Sequence, residues 1–173
     1  MKLKKNKIGI LGGSFDPAHK GHLAISKEAY KKFNLKKIIW AVTKKNPFKK
    51  KSNSQISSRI QNCKKIIGKI NFIKVKFFEE KIKSNKTIDL INHLNKNYNY
   101  EIYFIMGADN LINFHKWHKW KMISKKCIII VFDRHGYKRK CLNSRSFKRL
   151  NEKNLKFIKF NKVNISSSKI RKI

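Results

Sequence analysis

The chain has 173 residues, of which 40% are hydrophobic and 12% aromatic, enough to bury a core and too apolar for a disordered segment. It carries 44 Lys and Arg against 9 Asp and Glu, a formal net charge of +35 at pH 7. No apolar run approaches the roughly 20 residues of a membrane span, so a spanning segment is set aside.

The charge has two readings. Lysines are spread along the whole chain among many Asn and Ile, and Arg is scarce. That pattern reads as compositional drift. A nucleic-acid or membrane-surface binder, which concentrates charge in a tail or stripe and favours Arg forks, is the alternative. Either way the field attracts anionic small molecules. Cys63, Cys127 and Cys141 are odd in number and widely spaced, which fits a reducing cytoplasm. No linker or internal repeat is visible, so residues 1–173 are read as one domain.

In chain order, residues 7–12 read as a short buried strand rather than a signal peptide. Residues 20–33 are helical, with Leu23, Ala24, Tyr30 and Phe33 at apolar spacing. Strand 36–42 and a polar loop around Pro47 follow. An amphipathic helix spans 54–67, with Ile56, Ile60, Cys63 and Ile67 on one face. Residues 71–78 alternate as a strand with one wet face. Residues 86–97 form a helix with Thr87 as N-cap. Strand 100–107, one or two short helices over 108–123, strand 126–132, a loop over 133–146 and strand 154–160 complete the pattern. A last helix opens at residues 165–173. Strand and helix alternate throughout, so the expected fold is α/β: a Rossmann-like, doubly wound parallel sheet of five to six strands. In such sheets ligands bind at the carboxyl ends of strands where the strand order reverses, and the first strand commonly lies there.

The loop after that strand reads GGSFDPAHKGHL. Gly12 and Gly13 allow a sharp turn and close approach of a ligand. His19 and His22 fall at a helix start, where free N–H groups and the helix dipole favour a phosphate. The bland alternative is that both histidines only cap and pack. The loop is neither a dinucleotide fingerprint nor a Walker loop. A metal reading fails for lack of a third ligand, here and for His115 with His118. At the other end, ISSSKIR places Ser166, Ser167 and Ser168 at a helix start, with Arg171 one turn in and able to fork onto a phosphate.

Together these stretches resemble the two signatures of the HxGH nucleotidyltransferase superfamily: His19-Lys20-Gly21-His22 and the Ser-rich segment ending at Arg171. FIMGADNLINFHKWHKW, VFDRHG and NPFK make the chain similar, within it, to the bacterial nicotinate-nucleotide adenylyltransferases. Two departures stand out. Asn46-Pro47-Phe48-Lys49 replaces a Pro-Pro-His-Lys/Arg pattern, and the chain ends two residues past Arg171 where relatives add a helix or two.

The resemblance implies a nucleotidyltransferase fold and adenylyl transfer from ATP to nicotinate mononucleotide, a step of NAD biosynthesis, in a cytoplasmic monomer or homodimer. It implies that His19, His22 and Arg171 carry the catalysis. ATP would be held by Gly12, Gly13, Ser14, Phe15, His19, His22, Gly107, Asp109, Asn110, Ser167, Ser168 and Arg171. The pyridine nucleotide would meet Ser14, Phe15, Thr87 and Trp117. Mg²⁺ would accompany ATP with few direct protein ligands. Trp120 is read as core packing. Lys49 and Arg59 are read either as contacts to anionic substrate groups or as solvated surface. The alternatives are the sister pantetheine-phosphate adenylyltransferase, a basic nucleic-acid-binding protein on the same fold, and an inactive paralogue.

Overall fold

Ile8, Ile10, Ile102, Ile105, Ile129 and Val131 are excluded from solvent in adjacent strands, because a parallel sheet covered on both faces leaves no wet side. The computed structural model of the protein describes residues 5–45, 54–150, 153–160 and 167–170. Six strands, β1 (Lys7–Gly13), β2 (Lys37–Val42), β3 (Ile73–Phe77), β4 (Glu101–Gly107), β5 (Ile128–Phe132) and β6 (Leu155–Ile158), form one sheet in the order β3-β2-β1-β4-β5-β6. Every pairing is parallel. This is the doubly wound strand order, and it reverses between β1 and β4. The expected fold and the place of the first strand at the switch point are therefore both borne out.

The helices divide between two cores. On one face α1 (Lys20–Lys32) and α2 (Ile56–Ile67) supply Ala29, Cys63 and Ile67 against Ile38, Trp40 and Ile105. On the other, α4 (Thr87–Tyr98), α5 (Ala108–Ile112), a 3-10 turn (Phe114–Lys116) and α6 (Trp120–Lys126) supply Ile91, Leu94, Leu111, Phe114 and Ile123. β3 lies at the sheet edge, and Lys74 and Lys76 are its exposed positions, the single wet face expected of it. All three cysteines are buried thiols. Burial pushes Cys63 and Cys127 up to about 12 and Cys141 up to about 11.

Several local expectations need correction. Thr87 is the first residue of α4 rather than its cap. The cap position is Lys86, which makes no side-chain cap bond, and the turn before it is braced by Ser84, whose hydroxyl donates to Asp89 Oδ2 at 2.6 Å and accepts from Lys86 N–H at 3.1 Å. The stretch read as a loop over 133–146 contains α7 (Lys138–Leu142) and the start of α8 (Arg145–Arg149). A one-turn helix, α3 (Glu79–Ile82), follows β3. Such short helices carry no full period of apolar residues, so no amphipathic pattern announces them. On α2 the buried residues are Arg59, Cys63 and Ile67, and a cation stands where an apolar stripe was expected.

Candidate active site

The loop from β1 to α1 sits at the reversal of strand order. Its turn is not made by the glycines. Gly12 and Gly13 continue β1, and the left-handed residue is Phe15, with φ at 48°. Phe15 can hold that conformation because its ring is locked in the core, stacked on Trp40 at 5.0 Å between centroids and 12° between planes. It is 1% exposed, so only its backbone faces the loop's outer side. A Cβ on Gly12 or Gly13 would meet nothing closer than 3.5 Å, from Phe104 or Phe15. The protein itself would tolerate alanine there, and the space that glycine leaves is space at the mouth of the site.

His19 is the N-cap of α1 in extended conformation. Its Nδ1 accepts from Gly21 N–H at 3.1 Å, and His22 Nδ1 accepts from His19 N–H at 3.2 Å. The two rings therefore satisfy reciprocally two donors of the helix start, a role usually taken by Ser and Glu. Acceptance at Nδ1 puts the proton of each neutral ring on Nε2. The rings lie 3.8 Å apart between centroids, and His22 rests on Phe15 at 4.8 Å. Capping and packing are both real here, and the cap bonds are made at Nδ1. Lys31 and Lys32 close α1 at its negative end.

The two signature segments meet. α9 (Ser167–Ile170) docks on the same loop, and Ser167 donates its hydroxyl to Pro17 O at 2.8 Å across 150 residues of chain. Ser168 belongs to this helix. Its side chain, Ser166, Arg171 and the 46–49 segment with Lys49 lie outside the described residues.

Gly12 and Gly13 also line a cavity of about 330 Å³ at the carboxyl ends of β1 and β2, with Phe78 and Glu79, just past β3, on its wall. Thr87 and Trp117, expected together, both line it, with Phe104 and Leu90 as further apolar wall. Trp117 is held edge-on by Phe114 at 5.3 Å and Phe104 at 6.0 Å. Trp120 packs edge-on against Phe114 at 5.9 Å within the core, as expected of it. Lys45, Lys86, Lys116 and His118 stand at the cavity rim. Glu79 is the acid among its described lining residues, and it is engaged: Thr43 donates its hydroxyl to Glu79 Oε1, and Lys44 N–H reaches both carboxylate oxygens at 3.2 Å. The cavity thus joins an aromatic wall to a cationic rim.

Ser14 and Phe15, expected at the pyridine nucleotide, do not line the cavity, and neither do His19, His22, Gly107, Asp109, Asn110 or Ser167; Asp109 and Asn110 follow the end of β4 in α5. Asp109 sits in the first turn of α5, with Asn110 beside it. Asp109 Oδ2 accepts from Arg134 Nη1 at 2.5 Å, tying the end of β4 to the loop after β5. A Cβ on Gly107 would stand 2.5 Å from Asp109 Oδ1, so glycine is required there for the Asp109 carboxylate to lie as it does. His115 is held through its N–H by Ser146 Oγ at 2.9 Å and belongs to the packing of α8.

Sequence reasoning missed Arg59, Glu79 and Arg134 as parts of this framework. Arg134 stood in a quoted motif, but its partner lies 25 residues away; the groups that Arg59 and Glu79 hold, at Ser14, Thr43 and Lys44, likewise lie 15 to 45 residues off in the chain.

Comparison with known proteins agrees with this geometry. The cytidylyltransferase-like family matches residues 10–173. A curated relative from Pelagibacter ubique named probable nicotinate-nucleotide adenylyltransferase is 68% identical over 98% of this chain and 94% of its own length. A relative of the same name from Nitratiruptor is 38% identical over 76% of each chain. Among solved structures, Plasmodium falciparum nicotinic acid mononucleotide adenylyltransferase complexed with NaAD superposes with a TM-score of 0.80 at 22% identity, covering 96% of this chain and 83% of that one, which is a likeness of fold. With this sheet order, this loop and these relatives, the chain belongs to the nicotinate-nucleotide adenylyltransferase family.

Proposed function

We propose that the protein transfers an adenylyl group from ATP to nicotinate mononucleotide, giving nicotinate adenine dinucleotide and pyrophosphate. The observation that carries this reading is the division of space around one loop. Gly12 and Gly13 line a cation-rimmed aromatic cavity. The His19–His22 pair and α9, joined to the same loop, lie outside that cavity's lining.

The pyridine nucleotide occupies the cavity, with its ring on Trp117 and its charge facing the lysine rim. ATP lies along the outer side of the loop, with its adenosine toward Gly107, Asp109 and Asn110. The two phosphates then meet over the bare backbone of Gly12 and Gly13. The attacking phosphate oxygen is already an anion at neutral pH, so no general base is required. Its lone pair forms a bond to the α-phosphorus, and the bond from that phosphorus to the bridging oxygen breaks, releasing pyrophosphate. Catalysis is positioning and charge stabilisation. His19 and His22 donate from Nε2 to the transferring and leaving phosphates, while Nδ1 stays committed to the helix start. Ser168 and Arg171 hold the β- and γ-phosphates, and Ser167, whose hydroxyl proton is spent on Pro17 O, offers its main-chain N–H. Mg²⁺ would accompany ATP with few direct protein ligands. It would supply charge neutralisation on the leaving group.

Among the described residues no helix is long and apolar enough to cross a membrane. We place the enzyme in the cytoplasm, where its nucleotide substrates and three reduced thiols belong, as a monomer or homodimer. The test is pyrophosphate release with ATP and Mg²⁺ in parallel arms of nicotinate mononucleotide, nicotinamide mononucleotide and 4′-phosphopantetheine. Release in the first arm is expected. Release only with phosphopantetheine would overturn the substrate, and silence in all three would overturn the reaction.

A further inference from the structure

Arg59 has no place in the scheme above, yet it is 4% exposed and lies directly behind the site. Its side chain donates to four main-chain carbonyls in three separate segments. Nη1 reaches Ser14 O at 2.6 Å and Thr43 O at 2.8 Å, Nη2 reaches Lys44 O at 3.4 Å, and Nε reaches Ser54 O at 3.1 Å. Each segment bears on the site. Ser14 lies in the loop between Gly13 and His19. Thr43 and Lys44 hold Glu79 at the cavity rim. Ser54 N–H donates to the buried Asp16 at 3.5 Å, at the far side of the same loop.

A buried guanidinium is costly to desolvate, and here it is met by strong acceptors on every branch. Only a planar fork with several fixed donors reaches these carbonyls together; a lysine ammonium at the same place satisfies one or two. The four bonds join the loop that carries His19 and His22 to the strand end that walls the cavity. Those are the two halves whose spacing decides whether the attacking oxygen lies in line with the leaving group.

We infer that Arg59 is a positioning residue that sets the distance and angle between the phosphate loop and the pyridine-nucleotide cavity. The inference rests on the adenylyl-transfer reading. It assigns the residue neither to a substrate contact nor to solvated surface.

The test uses R59K and R59Q beside the wild type. Measured are the thermal midpoint, the affinity for each substrate alone, and kcat with both. A residue that aligns two half-sites is expected to leave binding of each substrate alone nearly unchanged while kcat falls on the order of 10²-fold in R59Q. R59K is expected to recover only part of that loss. A folded R59Q or R59K with kcat within about twofold of the wild type would overturn the inference. So would affinity loss for one substrate that accounts for the whole defect, which would make Arg59 a contact residue. If R59Q fails to fold, R59K decides. If R59K also fails to fold, the role is structural and the inference falls. Failure of the underlying reading is visible separately, as a wild type that releases no pyrophosphate in any arm.

Discussion

His19 caps α1 and, in the proposed reading, also serves the chemistry. Its Nδ1 caps α1 and its neutral-ring proton sits on Nε2. Truncation therefore costs on both accounts: His19→Ala is expected to lose about 1 kcal/mol of stability through the cap, and most of its turnover. His19→Asn separates the two. Asparagine is a good N-cap, so the urea midpoint should return toward the wild type while turnover stays low. A His19→Asn enzyme with near-normal kcat would remove the histidine from the chemistry. At the cavity wall, Trp117→Ala is expected to raise KM for the pyridine nucleotide well above any change in KM for ATP, because the ring lines the cavity and not the outer side of the loop. Equal changes in both would show that the indole only supports the fold.

At the scale of elements, α1 is fastened to the sheet by a polar contact inside an apolar layer. Trp40 Nε1 donates to Ser26 Oγ at 2.9 Å, and both residues are fully buried. Ser26→Ala leaves that indole N–H without its partner, and a loss of about 1–3 kcal/mol is expected in denaturant unfolding. The shift should be accompanied by lower turnover, since α1 and its N-cap carry the two histidines and Trp40 stacks on Phe15. α9 is held to the loop by Ser167 on Pro17 O. Ser167→Ala is expected to raise KM for ATP and to leave KM for the pyridine nucleotide in place, measured by steady-state kinetics with each substrate varied in turn.

Two properties belong to the whole molecule. The net charge of +35 raises the local concentration of both polyanionic substrates, so kcat/KM for ATP is expected to fall as KCl is raised, with kcat less affected. The buried thiols set an alkaline limit. Folding raises Cys63 and Cys127 from 9.0 to about 12, so above pH 9 the unfolded chain gives up protons that the folded chain keeps. Stability is thus fully present below pH 9 and declines as pH rises toward 12, which urea unfolding midpoints over that range would reveal.

The alternation of strands and helices and the GGSFDPAHKGHL loop determined, from sequence alone, the doubly wound sheet, the position of β1 at its switch point and the helix start with His19 and His22 beside it. These are local properties: hydrophobic period, turn chemistry and cap chemistry act within a few residues of themselves. The pairing of the C-terminal signature with the first loop was legible too, through two motifs at opposite ends of the chain. Tertiary structure alone decided the rest. Gly12 and Gly13 proved to be strand, with Phe15 making the turn, because burial of its ring against Trp40 offsets a left-handed backbone that local preference disfavours. Arg59 falls on the buried face of its helix because backbone carbonyls from three distant segments converge there, and no window of sequence contains that convergence.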